Sequence, residues 1–144
     1  MSRIMIVDDD PMVTRLVRIN LELENFEVVE AWDGKTALEA IKGNPPDLLL
    51  LDVMMPQMDG WEILRKVRSD PNRKDLPIVL LTAKVQDEDI AKGWEMGADG
   101  YIVKPFNPVN LADSLREVLS ATLEERQARR RQELVKLRDV LVEE

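Results

Sequence analysis

The distribution of apolar residues predicts five short strands that alternate with helices. The predicted strands are Ile4–Val7, Phe26–Val29, Leu48–Leu51, Pro77–Leu81 and Tyr101–Val103. Unbroken apolar runs are typical of strands that are covered on both faces, as in parallel sheets. The segments between the strands place apolar residues at helical spacing. This alternation predicts an α/β fold with a doubly wound, five-stranded parallel sheet and helices on both of its faces.

The last segment differs from the rest because its helical pattern runs from Asn107 to Glu144 without a breaker. Its apolar positions resemble a heptad pattern at Leu123, Leu134, Leu137 and Leu141, with interruptions at Gln127 and Arg130. Two interpretations remain open for this part. A weak coiled coil would form a homodimer through the C-terminal helix, whereas a solvated helix would be supported by ion pairs such as Glu125 with Arg129. We therefore predict a domain over residues 1–121 and a helical extension over residues 122–144.

Composition and charge exclude several classes of function. The chain has 144 residues, a net charge of −8 and neither cysteine nor histidine. It therefore lacks thiolate sites, disulfides and a phosphohistidine of its own. The negative charge disfavours direct binding of nucleic acid, and no apolar run is long enough to cross a membrane. These features lead us to expect a cytoplasmic protein.

Polar residues follow four of the five predicted strands, at the edge of a parallel sheet where ligands bind. Asp8, Asp9 and Asp10 follow the first strand, and Asp52 follows the third. Thr82 and Lys84, with Ala83 between them, follow the fourth, and Lys104, before Pro105, follows the fifth. Each has an ordinary alternative, and Asp10 before Pro11 is best interpreted as a helix cap. The combination at successive strand ends is much harder to attribute to turns alone.

The predicted cluster has the chemistry of a magnesium site that handles a phosphoryl group. Carboxylates without histidine or cysteine favour Mg²⁺, for which Mn²⁺ could substitute. A carboxylate can also act as a nucleophile and form an acyl phosphate. Phosphoryl transfer needs charge neutralisation and positioning, which a lysine and a hydroxyl group can supply.

Four motifs give the chain a specific resemblance. The stretches IVDDDP, PDLLLLDVMMPQMDG, PIVLLTAK and GADGYIVKPF occur in the order and at the spacing of a response-regulator receiver domain. The resemblance covers about residues 1–121 and places the chain in two-component, or phosphorelay, signalling. It implies a flavodoxin-like sheet with strand order 2-1-3-4-5.

The resemblance also implies roles for the acidic residues. Asp52 corresponds to the aspartate that accepts the phosphoryl group. Asp8 and Asp9 correspond to the acidic pair, in which Asp9 binds Mg²⁺ directly and Asp8 acts mainly through water. Met54 occupies the position whose backbone carbonyl completes the metal site.

Further roles follow from the resemblance at the fourth and fifth strands. Thr82 corresponds to the switch hydroxyl, and Tyr101 to the aromatic residue that swings inward with it. The amide of Ala83 and the ammonium group of Lys104 would bind the phosphoryl group. Lys104 and Pro105 are expected to form a cis peptide bond.

These roles imply a phosphorylation-controlled switch whose donor is a sensor histidine kinase or a histidine phosphotransfer protein. Such a domain catalyses its own phosphorylation and dephosphorylation and turns over no external substrate. One alternative is the N-terminal receiver of a longer regulator, and another is a receiver-like scaffold that is never phosphorylated. A flavin or nucleotide site is disfavoured because three aspartates would repel its phosphate. A hydrolytic phosphatase is disfavoured because Met54 stands where its second acid is expected.

Overall fold

The computed structural model describes residues 1–84 and 86–143. The strands are β1 (Arg3–Val7), β2 (Glu27–Ala31), β3 (Leu48–Leu51), β4 (Ile78–Thr82) and β5 (Gly100–Val103). The helices are α1 (Pro11–Leu23), α2 (Gly34–Gly43), α3 (Gly60–Ser69), α4 (Asp87–Glu95), α5 (Pro108–Ser120) and α6 (Leu123–Glu143). All strand pairs are parallel and the order is β2-β1-β3-β4-β5, which confirms the predicted α/β fold.

The unbroken apolar strands fill a separate core on each face of the sheet. Ile4 and Ile6 of β1 pack with residues of α1 and α5. Met5 and Val7 point to the opposite face and pack with residues of α2 and α3. Successive side chains of a strand alternate between faces, so a strand buried on both sides must be apolar throughout. Leu48–Leu51 meets this requirement fully, since none of its side chains is exposed.

The predicted cap of the first helix is confirmed. Asp10 adopts an extended conformation before Pro11, and its carboxylate accepts a hydrogen bond of 2.9 Å from the amide of Met12. This bond satisfies one of the amides that the first helical turn leaves unpaired. Asp10 therefore supports the helix that follows β1.

No helix within the two described ranges is long and apolar enough to cross a lipid bilayer.

The prediction of one continuous helix from Asn107 to Glu144 is wrong. α5 ends at Ser120, and after two intervening residues a new helix begins at Leu123. The amide of Thr122 donates to the Glu125 carboxylate at 2.9 Å, and the amide of Glu125 donates to the Thr122 hydroxyl at 3.1 Å. This reciprocal capping box starts a helix without glycine or proline, which explains why a search for breakers overlooks it. Glu144 lies outside the described residues.

The C-terminal helix is present as expected, but it folds back onto its own domain. α6 packs against α4 of the same chain. Leu134 and Leu137 are half-buried, whereas the side chain of Leu141 lies outside the described part of the chain. The apolar positions therefore do not form a stripe that extends away from the domain. A homodimer through this helix remains a prediction, as does the division of the chain at residue 121.

Candidate functional site

The carboxyl ends of β1 and β3 bring three of the predicted acids together. Asp8, Asp9 and Asp52 each offer a carboxylate oxygen, and these oxygens lie within 4.8 Å of one another. The register explains this closeness, because Val7 is paired with Leu51 and the amide of Asp52 donates to the carbonyl of Val7 at 2.9 Å. The expected acidic cluster is therefore formed by residues that are far apart in the sequence.

Asp8 is the most enclosed member of the cluster, with no exposed surface. Its carboxylate accepts hydrogen bonds from the amide of Asp10 at 2.9 Å and from Lys104 Nζ at 2.6 Å. Burial raises the pKa of Asp8 and the charge of Asp52 adds to this effect, while the two hydrogen bonds and the charge of Lys104 oppose it. The negative charge of Asp8 is thus compensated by an ammonium group.

Lys104 bridges two of the carboxylates from the end of β5. Its Nζ lies 2.6 Å from Asp8 Oδ2 and 3.3 Å from Asp52 Oδ2. Burial acts to lower the pKa of Lys104, but the hydrogen bond with Asp8 and the charges of Asp8 and Asp52 outweigh it and raise the pKa. The predicted cis peptide between Lys104 and Pro105 is present. The ammonium group is therefore held in its charged form beside Asp52.

The three consecutive aspartates divide their functions. Asp8 is buried, Asp9 is exposed, and Asp10 caps α1. Asp9 belongs to the cluster that could hold a metal ion, as do Asp8 and Asp52. An all-oxygen donor set with partial access to water is what Mg²⁺ prefers, so the residues fit the expected metal.

The loop after β3 holds Asp52 in place. Asp52 is 4 % exposed, and its Oδ1 accepts a hydrogen bond of 3.1 Å from the amide of Met54, whose side chain is 53 % exposed. The first residue of α3 approaches this loop closely. A Cβ atom at Gly60 would lie 2.2 Å from the carbonyl oxygen of Asp52, so only glycine fits there. The contact fixes the backbone on either side of the carboxylate.

The residues at the end of β4 form a connected group with β5. Thr82 is fully buried and its hydroxyl accepts a hydrogen bond of 3.3 Å from the amide of Lys84, while Ala83 is exposed. The hydroxyl of Tyr101 donates to the carbonyl of Lys84 at 2.8 Å. Burial, together with the charges of Asp89 and Asp52, raises the pKa of Tyr101 to about 12. The ring of Tyr101 therefore points inward, and both predicted switch residues contact Lys84.

The structure contains a second ionic cluster that the sequence did not predict. Asp99, immediately before β5, is buried and accepts hydrogen bonds from Arg68, Arg126 and Arg130. Burial lowers the pKa of Arg68 to about 10, and the charges of Arg130 and Arg126 act in the same direction against the attraction of Asp99. No motif indicates this cluster, because its members are 27 to 31 residues from Asp99.

Comparison with known proteins identifies the family. The sequence profile of the family described as "Response regulator receiver domain" matches residues 4–116. The chain belongs to this family. It is a receiver domain of the two-component response regulators, and the resemblance inferred from the four motifs is confirmed.

Relatives of this receiver domain are found among curated proteins and solved structures. "DNA-binding response regulator MtrA" of Mycolicibacterium smegmatis is 43% identical over 80% of this chain and 49% of its own length. "DNA-binding dual master transcriptional regulator RpaA" of Synechocystis sp. is 38% identical over 85% of this chain and 51% of its own length. The receiver domain thus spans about half the length of these relatives. The chemotaxis protein CheY4 of Vibrio cholerae covers 82% of this chain and 98% of its own, with a TM-score of 0.77 at 36% identity.

Proposed function

We propose that this receiver domain is a switch that accepts a phosphoryl group on Asp52 from a phosphohistidine. The donor would be a sensor histidine kinase or a histidine phosphotransfer protein. The observation that carries the proposal is the position of the Asp52 carboxylate, which is nearly buried beside Asp8, Asp9 and Lys104. A buried acid surrounded by two further acids and a lysine is better suited to phosphoryl chemistry than to stabilising the fold.

The transfer step uses Asp52 as the nucleophile. One carboxylate oxygen attacks the phosphorus atom, so that an O–P bond forms while the N–P bond to the donor imidazole breaks. The imidazole leaves with the electron pair of that bond and takes up a proton. The domain would thus catalyse its own phosphorylation. Attack of water on the same phosphorus atom would break the bond to the Asp52 oxygen, release inorganic phosphate and restore the carboxylate.

Lys104 and the residues after β4 would hold the transferred group. The ammonium group of Lys104 already contacts Asp52, so it can pair with a phosphoryl oxygen attached there. Ala83 is an exposed residue that offers its backbone amide, and the hydroxyl of Thr82 can donate to another oxygen. Thr82 and Tyr101 both contact Lys84, which provides a route by which the two residues change position together.

The acidic cluster would bind Mg²⁺. Asp9 is the best candidate for a direct ligand because it is exposed and is not needed as a helix cap. Asp52 and the backbone carbonyl of Met54 would complete the protein ligands. Asp8 would act mainly through water, since its carboxylate already binds Lys104 at 2.6 Å. When bound, Mg²⁺ supplies neutralising charge to the oxygens of the phosphoryl group.

Labelling with a small phosphodonor tests this proposal. The protein is incubated with acetyl phosphate and Mg²⁺ and analysed by intact mass. We expect the mass of one phosphoryl group to be added, and we expect a chelator in the same reaction to prevent the addition. An unmodified mass after incubation with acetyl phosphate and Mg²⁺ would contradict the proposal and favour a receiver-like scaffold.

Mg²⁺ is also expected to raise the melting temperature, because a ligand that binds only the folded state stabilises it. At a concentration of about 100 Kd this contribution amounts to about 2.7 kcal/mol. Asp9→Asn should remove most of the increase, measured by thermal denaturation at several Mg²⁺ concentrations. Asp10→Asn is the matched control, because asparagine caps a helix about as well as aspartate and the variant should keep the full effect of Mg²⁺. Equal loss of the Mg²⁺ effect in both variants would mean that the site lies elsewhere.

A second candidate function is the receiver part of a longer, DNA-binding regulator. The observation that favours it is that relatives named as DNA-binding regulators are about twice as long as the matched segment. Direct binding of nucleic acid by the present residues is still not expected, because their net charge is −8. The size of the natural gene product, determined by immunoblot with an antibody to the receiver domain, separates the two functions.

A further inference from the structure

We propose that α6 is an intramolecular ligand of α4, and that each of two events, the docking of α6 and the phosphorylation of Asp52, favours the other. The inference concerns the buried Asp99 cluster and the contact between α4 and α6, neither of which takes part in the phosphoryl chemistry. The coupling to Asp52 rests on the function proposed above, whereas the docking of α6 does not.

Asp99 forms a binding socket that only α6 completes. The Oδ2 atom accepts hydrogen bonds from the amide of Ile78 at 2.9 Å, from Arg68 at 3.0 Å and from Arg126 at 3.0 Å, while Oδ1 accepts from Arg130. The side chain of Asp99 is completely buried with α6 docked, and undocking would remove two of its charged partners, Arg126 and Arg130. Loss of these charge-assisted hydrogen bonds is unfavourable, so Asp99 favours the docking of a helix that carries arginines four residues apart.

The two α6 arginines also bind backbone carbonyls near the socket. Arg126 donates to the carbonyl of Asp75 at 2.9 Å, and Arg130 donates to the carbonyl of Ala98 at 3.1 Å. One contact is to the segment before β4 and the other to the segment between α4 and β5. The first two turns of α6 thus join the segment between α3 and β4 to the segment between α4 and β5.

The rest of α6 is bound much less firmly. Beyond Arg130 the helix is mainly polar, Leu134 and Leu137 are only half-buried, and Val135 and Val140 are 48 % and 43 % exposed. A helix with few buried apolar contacts has low local stability and can detach without unfolding of the domain. Docking therefore depends mainly on the Asp99 socket, which makes it reversible.

α4 also contacts the predicted switch. A Cβ atom at Gly93 of α4 would lie 3.1 Å from two ring carbons of Tyr101 and 2.9 Å from Leu80 Cδ1. The position of the Tyr101 ring and the position of α4 therefore depend on each other. The hydroxyl of Tyr101 is bonded to Lys84, whose amide in turn contacts Thr82. A continuous series of contacts thus connects α6 with the neighbourhood of Asp52.

In this arrangement α6 is docked while Tyr101 points inward. Holding α4 in place favours the inward ring, and an inward ring favours the position of α4 to which α6 binds. Coupling between two sites is reciprocal in free energy. If phosphorylation of Asp52 also favours the inward ring, it must tighten the docking of α6, and docked α6 must favour phosphorylation.

Hydrogen–deuterium exchange of the full chain, read by mass spectrometry, tests the docking. The double variant Arg126→Met/Arg130→Met should exchange the amides of α6 at least about fivefold faster than the wild type. Arg131→Met, at an exposed position on the same helix, is the matched control and should exchange like the wild type. Arg130→Met alone keeps Arg68 and Arg126 on Asp99, and it replaces the double variant if that protein does not fold. Equal exchange in wild type and variants would overturn the proposal, whatever the outcome at Asp52.

The coupling is tested on the same proteins with beryllofluoride and Mg²⁺ as a mimic of the phosphoryl group. We expect beryllofluoride to slow exchange in α6 of the wild type at least about fivefold, and acetyl phosphate to label the double variant more slowly than the control by a similar factor. Faster exchange in the variants, combined with unchanged labelling and no response to beryllofluoride, would overturn the coupling. If the wild type is not labelled at all, the proposed function is wrong and the coupling fails with it. The docking of α6 is not affected by that outcome.

Discussion

Replacing Asp52 with asparagine is expected to abolish labelling by acetyl phosphate completely. The amide of asparagine is neutral and a poor nucleophile, so no acyl phosphate can form at this position. The change is nearly isosteric, and the hydrogen bond from the amide of Met54 can be kept by the remaining carbonyl oxygen. The fold should therefore survive while the chemistry is lost. The measurement is intact mass after incubation with acetyl phosphate and Mg²⁺.

Lys104→Ala provides the matched comparison for this experiment. Lys104 contacts Asp52 at 3.3 Å, but its protonated ammonium group has no lone pair with which it could replace Asp52 as the nucleophile. We expect this variant to be labelled still, yet to show little of the change in α4 and α6 exchange that follows phosphorylation in the wild type. An Asp52→Asn protein that gains a phosphoryl group at the wild-type rate would remove Asp52 from its proposed role.

Asp99→Ala is expected to lower the free energy of unfolding by about 3–5 kcal/mol, because removal of one partner leaves buried charges uncompensated. The side chain of Arg68 is only 14% exposed and belongs to α3, so its charge stays uncompensated even when α6 detaches. Urea denaturation followed by circular dichroism measures the loss.

Asp113→Ala is the control for the loss of an aspartate. Asp113 pairs with Arg116, but its side chain is 80% exposed. Exposed ion pairs contribute at most about 1 kcal/mol, so this substitution should have a small effect. Similar losses in the two variants would show that the arginines around Asp99 rearrange into solvent and that the cluster contributes little to stability.

The features that depend on one segment at a time could be predicted from the sequence. Leu48–Leu51 is apolar at every position because it is buried on both faces. Asp10 followed by Pro11 is a local sequence pattern that predicts a helix cap. The strand order and the meeting of Asp8 with Asp52 needed the family resemblance, because the pattern alone does not say which strands are neighbours. With that order in hand, the ends of β1 and β3 must meet.

The features that depend on pairing across the fold could not be predicted. Arg126 and Arg130 look like solvated charges on a polar helix, and only the tertiary structure shows that they share a buried carboxylate with Arg68. The break before α6 was visible in principle, since Thr122 and Glu125 form a capping-box pattern. A search for glycine and proline as stop signals overlooks it.

The corner at Ala121 and Thr122 gives α6 the geometry of a lever arm. The helix contains 21 residues and is therefore about 30 Å long. Near its beginning, hydrogen bonds of Arg126 and Arg130 hold it in place beside α4. About 20 Å of helix lies beyond Arg130, so a tilt of about 10° there moves the distal end by about 3–4 Å. A shift of α4 too small to alter the fold would thus be amplified into a displacement that a molecule bound at the far end of α6 could sense.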